Sequence, residues 1–210
     1  RLQGKSVSLR SEAWWRRHQE PRVHGPQLLI QVANLSRLAR EVWGKAARQS
    51  VAQYGKTSAK WGKGSEEIDL TSFGVEGRWL VQAADENAGV GYETTQADID
   101  EAWNVVKGVV DDGIDPGMSE REQPQTRLWS TAGQNSSDLL LDYREQALRD
   151  TDGTGSVLLI EYSPPPELPW DHPNTWRWAS PHWSERREAR LRSKLEIGET
   201  AFAVQYLNRW

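Results

Sequence analysis

The chain opens with Arg1-Leu2-Gln3-Gly4-Lys5-Ser6, a stretch whose last three residues match the second half of a phosphate-binding P-loop. In such a loop, backbone N–H groups surround the phosphates, the lysine neutralises the outer ones, and the hydroxyl of Ser or Thr ligates Mg²⁺. The next residues open a helix whose N-terminus favours negative charge. Gly-Lys-Ser also fits a solvated turn, so the P-loop interpretation depends on the motifs further along the chain.

The composition is that of a polar but foldable chain, with the length of one sizeable α/β domain. Its net charge of −4 argues against a uniformly basic nucleic-acid coat and leaves room for a local basic patch. The absence of cysteine excludes disulfide scaffolds, thiol catalysis and cysteine-ligated zinc. No apolar run approaches the roughly 20 residues that span a bilayer, and no signal-peptide core is present. We therefore expect an intracellular protein without a membrane segment.

Helix and strand patterns alternate along the first part of the chain. They predict a helix over Ser6–Gln19, a buried strand over Leu28–Ala33, and a second helix after Asn34 or Ser36. This order predicts an α/β fold of the P-loop NTPase type, in which helices flank a mostly parallel sheet. The first strand of such a sheet would precede Arg1, and the chain begins without Met, so we expect a piece of a longer protein.

Further elements are predicted downstream. Glu66–Phe73 and Arg78–Ala84 are expected to form a β-hairpin insertion. Val157–Ile160 is expected to form a second buried strand. Helices are predicted over Asp138–Leu148, Ser184–Glu196 and Glu199–Trp210, which predicts a helical C-terminal segment.

Two acidic pairs, Asp85-Glu86 and Asp100-Glu101, are candidates for the second ATPase motif. In P-loop ATPases a strand ends in an Asp that holds Mg²⁺, and the next Glu polarises the attacking water. The strand before Asp85 has the better apolar pattern, whereas residues 95–99 are polar for a central strand. Asp100-Glu101 also fits the acidic first turn of a helix that begins near Ala102. The local pattern does not separate these alternatives.

Several segments, in this order, resemble the ATPase domain of the large terminase subunit of tailed bacteriophages, a family whose variant P-loop begins with Arg. The matching blocks are Arg1–Ser6, Ile30–Asn34, Gly91-Tyr92 before Asp100-Glu101-Ala102-Trp103, Pro116–Gln125 before Ser130–Gly133, and Glu161–Pro165 with Trp176–Pro181. They cover almost the whole chain, and their specificity lies in their order and spacing. The resemblance selects Asp100-Glu101, since only this pair follows Gly-Tyr and continues into Ala-Trp.

The resemblance implies an ATP- and Mg²⁺-dependent site. The ATP-binding residues would be Gln3, Gly4, Lys5 and Ser6. Ser6 and Asp100 would hold Mg²⁺, and Glu101 would orient the attacking water.

Four more residues receive roles from the resemblance. Arg1 would stabilise charge on the transferred phosphoryl group, where a nearby guanidinium is useful. Ser130, Thr131 and Ala132 match the motif that couples hydrolysis to movement. Small hydroxylated residues also pack well where a strand end meets a helix, so a structural role for this segment stays open.

The implied function is ATP hydrolysis that powers translocation of double-stranded viral DNA into a prohead, in the cytoplasm of the host bacterium. The implied partners are double-stranded DNA, a portal protein, a small terminase subunit and further copies of this chain in a ring, with no membrane. Residues 1–163 would be an N-terminally truncated ATPase core, and residues 164–210 a Pro/Trp-rich connector with the helical end of that domain. By the same resemblance, we expect these 210 residues not to include the nuclease domain of terminases. A helicase-like P-loop ATPase and a non-catalytic prophage remnant are the alternatives.

Overall fold

A six-stranded sheet organises the chain up to Trp129. The computed structural model describes residues 4–133, 137–150 and 152–209. These residues form two compact units, Gly4–Trp129 and the part from Ser130 onward. This division at Ser130 does not test the domain boundary expected between residues 163 and 164, which stays a prediction.

The first unit alternates helices and strands. Its elements are α1 (Lys5–His18), α2 (Pro21–His24), β1 (Gln27–Ala33), α3 (Ser36–Tyr54), β2 (Ala59–Lys60), β3 (Glu67–Asp69), β4 (Gly77–Ala83), β5 (Gln96–Asp100) and β6 (Gln125–Trp129). The strand order is β2-β3-β4-β1-β5-β6. Strands β4, β1, β5 and β6 run parallel, whereas β2 and β3 are antiparallel to their neighbours. The predicted α/β class with a mostly parallel sheet is confirmed.

Strand β1 lies at the centre of the parallel part, between β4 and β5. Leu29, Ile30, Val32 and Ala33 are fully buried, as expected for a strand covered on both faces. The apolar run that predicted this strand is therefore explained by the position of β1 at the centre of the sheet. The strand begins one residue before the predicted start.

Helix α1 packs on the sheet so closely that glycine is required at the start of β4. Leu9 and Ala13 of α1 belong to the same buried cluster as Leu29 and Trp79 of the sheet. A Cβ atom added at Gly77 would lie 2.4 Å from the carbonyl oxygen of Arg17 and 2.9 Å from its Cα. Helix and strand approach each other at backbone distance there, which orients α1 along the sheet.

The predicted β-hairpin is present. Ile68 of β3 pairs antiparallel with Trp79 of β4. The first strand is shorter than predicted, because the chain turns into a 3₁₀ helix at Thr71–Phe73 and then adopts a left-handed conformation at Gly74 (φ 76°).

The second unit contains short helices. They are α4 (Asp138–Arg149), α5 (Pro173–Trp178), α6 (Glu185–Arg192) and α7 (Glu199–Phe202). Its core is a cluster around Trp176, Leu191, Phe202 and Leu207. Within residues 4–133, 137–150 and 152–209, no helix is long and apolar enough to cross a membrane.

The prediction of a buried strand over Val157–Ile160 is wrong. These residues form no regular structure, and Leu158 and Ile160 are 83% and 72% exposed. A strand needs a hydrogen-bonding neighbour as well as an apolar sequence, and no described strand pairs with this segment.

Of the three helices predicted in the second unit, one matches its predicted range to within one residue and two are shorter than predicted. Helix α4 matches its prediction, but the cap predicted at Ser136 lies outside the described residues. Helix α6 ends at Arg192, and Ser184 caps it by accepting a hydrogen bond from the N–H of Arg187 at 3.2 Å. The last predicted helix is α7 followed by a π-helical turn over Ala203–Leu207.

Candidate functional site

Lys5 and Glu101 meet at the carboxyl edge of the parallel sheet. Lys5 is the first residue of α1, and Glu101 directly follows β5. The Nζ atom of Lys5 lies 3.0 Å from Oε1 of Glu101, and the two side chains are 24% and 35% exposed. The two halves of the predicted motif are therefore in contact, at the edge where open α/β sheets bind ligands.

The N-terminus of α1 has the form of an anion site. Gly4 precedes the helix in a left-handed conformation (φ 87°, ψ −4°), which disfavours any residue with a Cβ. Its carbonyl accepts the N–H groups of Val7 and Ser8. The N–H groups of Lys5 and Ser6 precede the first intrahelical bond, and no acidic residue lies in the first turn. These donors and the helix dipole favour a bound anion.

Asp100 is a buried carboxylate at the end of β5. In the strand register it lies between Ala33 of β1 and Trp129 of β6, and it is only 8% exposed. Its Oδ1 accepts the N–H of Glu101 at 3.1 Å. Burial raises the pKa of Asp100, the positive charge of Lys5 opposes this, and the charge of Glu101 adds to it. A cation at Asp100 would stabilise the ionised carboxylate.

The donor atoms at this edge fit Mg²⁺. The hydroxyl of Ser6 and the carboxylate of Asp100 supply the oxygen ligands that Mg²⁺ prefers. The described residues contain no group of three or more His, Asp or Glu side chains that could hold a metal ion. Mg²⁺ commonly takes only one or two carboxylates from a protein, with water and nucleotide phosphates as its other ligands.

Glu101 is held by two hydrogen bonds and a strained backbone. Besides the contact with Lys5, its Oε2 accepts the indole N–H of Trp103 at 3.0 Å. Its backbone is left-handed (φ 54°, ψ 47°), a conformation that costs about 1–2 kcal/mol for a residue with a side chain. Strain of this kind is concentrated at functional sites. The local geometry thus keeps the carboxylate in one orientation.

The rival pair Asp85-Glu86 lies elsewhere on the sheet. It follows β4, which β1 separates from β5, and both side chains are exposed. Oδ1 of Asp85 accepts the N–H of Asn87 at 2.9 Å and so stabilises its own turn. Lys5 pairs instead with Glu101. This geometry favours Asp100-Glu101 as the acidic pair of the candidate site.

The other predicted site residues are Arg1, Gln3 and the segment Ser130–Ala132. Arg1 and Gln3 lie outside the described residues. Ser130, Thr131 and Ala132 follow β6 directly and belong to the second unit. The hydroxyl of Ser130 donates to the carbonyl of Thr131 at 2.7 Å. The roles assigned to these residues stay predictions.

The sequence analysis did not predict two features of this region, namely the contact of Trp103 with Glu101 and the burial of Asp98. Asp98 is 0% exposed and accepts hydrogen bonds from Trp129 and Gln96. Burial raises its pKa to about 6, and the two hydrogen bonds oppose the rise. The available signal was the period-two alternation of Gln96, Asp98 and Asp100 with apolar residues, which indicates a strand with one polar face.

Three solved structures have the same fold. No family model matches the sequence, and no curated protein does. The large terminase of bacteriophage HK97 is 19% identical with a TM-score of 0.80, over 100% of this chain and 45% of that one. The large terminase ATPase domain of Thermus phage P74-26 is 18% identical with a TM-score of 0.62, over 100% and 85%. A large terminase from a thermophilic bacteriophage is 10% identical with a TM-score of 0.65, over 100% and 46%.

At these identities the likeness concerns the fold. The chain spans less than half the length of the HK97 protein and of the thermophilic phage protein, and most of the P74-26 domain. Both the sheet and the helices after it fall within the match, since each match covers the whole of this chain. The chain therefore has the fold of the ATPase domain of phage large terminases.

Proposed function

We propose that this chain is the ATPase part of a motor that moves double-stranded viral DNA into a prohead. The observation that carries the proposal is the contact between Lys5, at the start of α1, and Glu101, at the end of β5. A lysine beside a helix N-terminus suits phosphate, and an oriented glutamate suits water activation. The two groups lie where one nucleotide can touch both.

The phosphate-binding residues are Gln3, Gly4, Lys5 and Ser6. Lys5 has Glu101 as its counter-ion, and a triphosphate would give the ammonium a second anionic partner. The N–H groups at the start of α1 donate to phosphate oxygens. Arg1 would add a guanidinium to the charge that develops on the transferred phosphoryl group.

Ser6 and Asp100 would hold Mg²⁺, and the bound ion would neutralise negative charge on the phosphates. Glu101 takes the role of general base and orients the attacking water, with Trp103 fixing its second oxygen at 3.0 Å. The raised pKa of the buried Asp100 supports the proposal, because a cation would relieve the cost of burying this charge.

Ser130, Thr131 and Ala132 would carry the effect of hydrolysis away from the sheet, since they continue the chain directly after β6. The partners are double-stranded DNA, a portal protein, a small terminase subunit and further copies of this chain in a ring. The motor would work in the cytoplasm of the host bacterium. These assignments follow the terminase fold and the matching sequence blocks.

The test uses the complete protein that contains this chain. ATP hydrolysis is measured with and without double-stranded DNA and with Mg²⁺ removed by chelation, and DNA packaging is measured as protection from nuclease by proheads. We expect Mg²⁺-dependent hydrolysis that DNA stimulates, together with packaging. Hydrolysis with strand separation but without packaging would favour a helicase-like ATPase. A protein that binds no nucleotide would be a non-catalytic remnant, and the proposal would be wrong.

A further inference from the structure

Asp98 is a buried carboxylate that neither phosphate binding nor water activation uses. It lies on β5 two residues before Asp100, on the same face of the strand. Its Oδ1 accepts the indole N–H of Trp129 at 2.8 Å, and its Oδ2 accepts the amide N–H of Gln96 at 2.6 Å. Burial of a carboxylate is costly even when it is hydrogen-bonded, so folding alone would favour an apolar residue at this position.

Trp129 is the last residue of β6. In the strand register it lies opposite Asp100, and its ring reaches back along β5 to Asp98. The ring also packs against the buried cluster that contains Leu9 and Ala13 of α1. Trp129 therefore contacts the core beneath the phosphate-binding helix and the strand that carries the acidic pair.

The next residue in the chain is Ser130, where the proposed coupling segment Ser130–Ala132 begins. Because the backbone is continuous, the position of Trp129 sets where this segment starts. A rigid link between Trp129 and β5 therefore also acts on Ser130.

The two fully buried indoles of this core, those of Trp43 and Trp79, have no such partner among the described residues. Trp43 and Trp79 belong to the same cluster, and their Nε1 atoms make no hydrogen bond with any described residue. Packing of a tryptophan in this core thus does not require a carboxylate. Packing of the ring therefore does not explain the hydrogen bond between Trp129 and Asp98. Hydrogen bonds to ionised groups are stronger than those between neutral groups.

We propose that Asp98 is a positioning residue that fixes the indole of Trp129. Through this contact, the end of β6 follows movements of α1 and β5. The backbone after Trp129 then transmits these movements to Ser130–Ala132. This role rests on the proposed function. It predicts that loss of the contact lowers the yield of movement per ATP more than it lowers nucleotide binding.

The test compares four variants of the complete protein: Asp98→Ala, Asp98→Asn, Trp129→Phe and Trp79→Phe. The Asp98→Asn side chain keeps an acceptor for Trp129. Its new N–H group can donate to Oε1 of Gln96, an atom without a partner among the described residues, once that amide turns over. Trp79→Phe is the matched control, because it removes a similar ring from the same cluster without removing a hydrogen bond.

The readouts are the length of DNA packaged per ATP hydrolysed and the KM for ATP. We expect Asp98→Ala and Trp129→Phe to lower the packaged length per ATP about fivefold, as for loss of one hydrogen bond, with little change in KM. Asp98→Asn should restore the ratio, and Trp79→Phe should leave it as in the wild type. Where Asp98→Ala does not fold, Trp129→Phe carries the comparison.

A wild-type ratio in Trp129→Phe would overturn the positioning role alone, as would an equal loss in Trp79→Phe. A wild-type protein that hydrolyses no ATP would overturn the proposed function, and this role with it. The contact itself is checked separately by the NMR signal of the Trp129 indole N–H, which Trp129→Phe identifies. We expect this proton to exchange slowly in the wild type and faster in Asp98→Ala, and equal exchange in both would contradict the contact.

Discussion

The ammonium of Lys5 lies 3.0 Å from a carboxylate oxygen of Glu101, although the two residues are 96 positions apart in the chain. A parallel sheet makes this contact possible, because the helix start at Lys5 and the end of β5 lie at the same edge. The resemblance to terminase ATPase domains implies a role in ATP hydrolysis for each residue, and the contact makes those proposed roles testable.

Replacement of Glu101 by Gln should abolish most hydrolysis while ATP still binds. The amide keeps a hydrogen-bonding oxygen but lacks the basicity that water activation needs, so we expect turnover to fall about 100- to 10,000-fold. Steady-state turnover and equilibrium nucleotide binding are measured on the complete protein. The matched control is Glu86→Gln in the rival pair, which should retain activity. Near-normal turnover of Glu101→Gln would return Asp85-Glu86 to consideration.

Replacement of Lys5 by Ala should weaken nucleotide binding itself. The lost charge-assisted contacts to phosphate correspond to an affinity loss of about 10- to 100-fold. Titration with nucleotide measures the change, and Lys63→Ala, in an exposed loop, provides the control. Equal affinities of wild type and Lys5→Ala would mean that Gly4-Lys5-Ser6 is only a turn.

Trp103→Phe tests whether the orientation of Glu101 matters for catalysis. The substitution removes the N–H that donates to Oε2 of Glu101 but keeps an aromatic ring. We expect kcat to fall about fivefold, as for the loss of one hydrogen bond, with an unchanged KM for ATP. If kcat stays at the wild-type value, the contact with Lys5 is sufficient to hold Glu101.

Two glycine substitutions should change stability in opposite directions. Gly77→Ala would place a Cβ 2.4 Å from the carbonyl oxygen of Arg17, so it should lower the free energy of unfolding by about 1–3 kcal/mol. Gly44→Ala in α3 would meet Trp61 at an ordinary 3.7 Å and should raise it by about 0.5–1 kcal/mol, since alanine favours helix. Denaturant unfolding measures both. A neutral Gly77→Ala would contradict the close approach of α1 to β4.

His18 should make stability depend on pH. Burial lowers the pKa of His18, a hydrogen bond to the carbonyl of Trp14 opposes this, and the charges of Arg17 and Arg22 add to it. The unfolded chain therefore binds a proton more readily than the folded one, and stability falls as the pH drops through the ordinary histidine range near about 6.5. Between pH 7 and pH 5, His18→Gln should lose less unfolding free energy than the wild type. Parallel losses would exclude this contribution.

Part of the candidate site could be predicted from the sequence. Gly4-Lys5-Ser6 and Asp100-Glu101 were identifiable, the second only through the order of the blocks around it. The hydrogen bond from Trp103 to Glu101 was not, because the left-handed turn at Glu101 brings the indole to the carboxylate. A conformation of this kind leaves no periodic signal in the sequence.

The polar strand β5 shows the limit of pattern reading. Its residues are all buried, although three of the five are polar, because β5 lies between β1 and β6 and Asp98 accepts hydrogen bonds from Gln96 and Trp129. Val157–Ile160 is the reverse case, an apolar run that pairs with no described strand. In both segments, the apolar content of the sequence is a poor guide to burial.

The α/β class, the apolar central strand β1 and the helices on either side of it follow from the sequence, which also predicts residues for phosphate and magnesium. The packed fold is needed to show that Lys5 contacts Glu101, that Asp98 accepts a hydrogen bond from Trp129, and that α1 approaches β4 closely at Gly77. The difference lies in how far along the chain each kind of interaction acts. Periodicity and turn chemistry act between neighbours in the chain, whereas these three contacts join residues that only the packed sheet brings together.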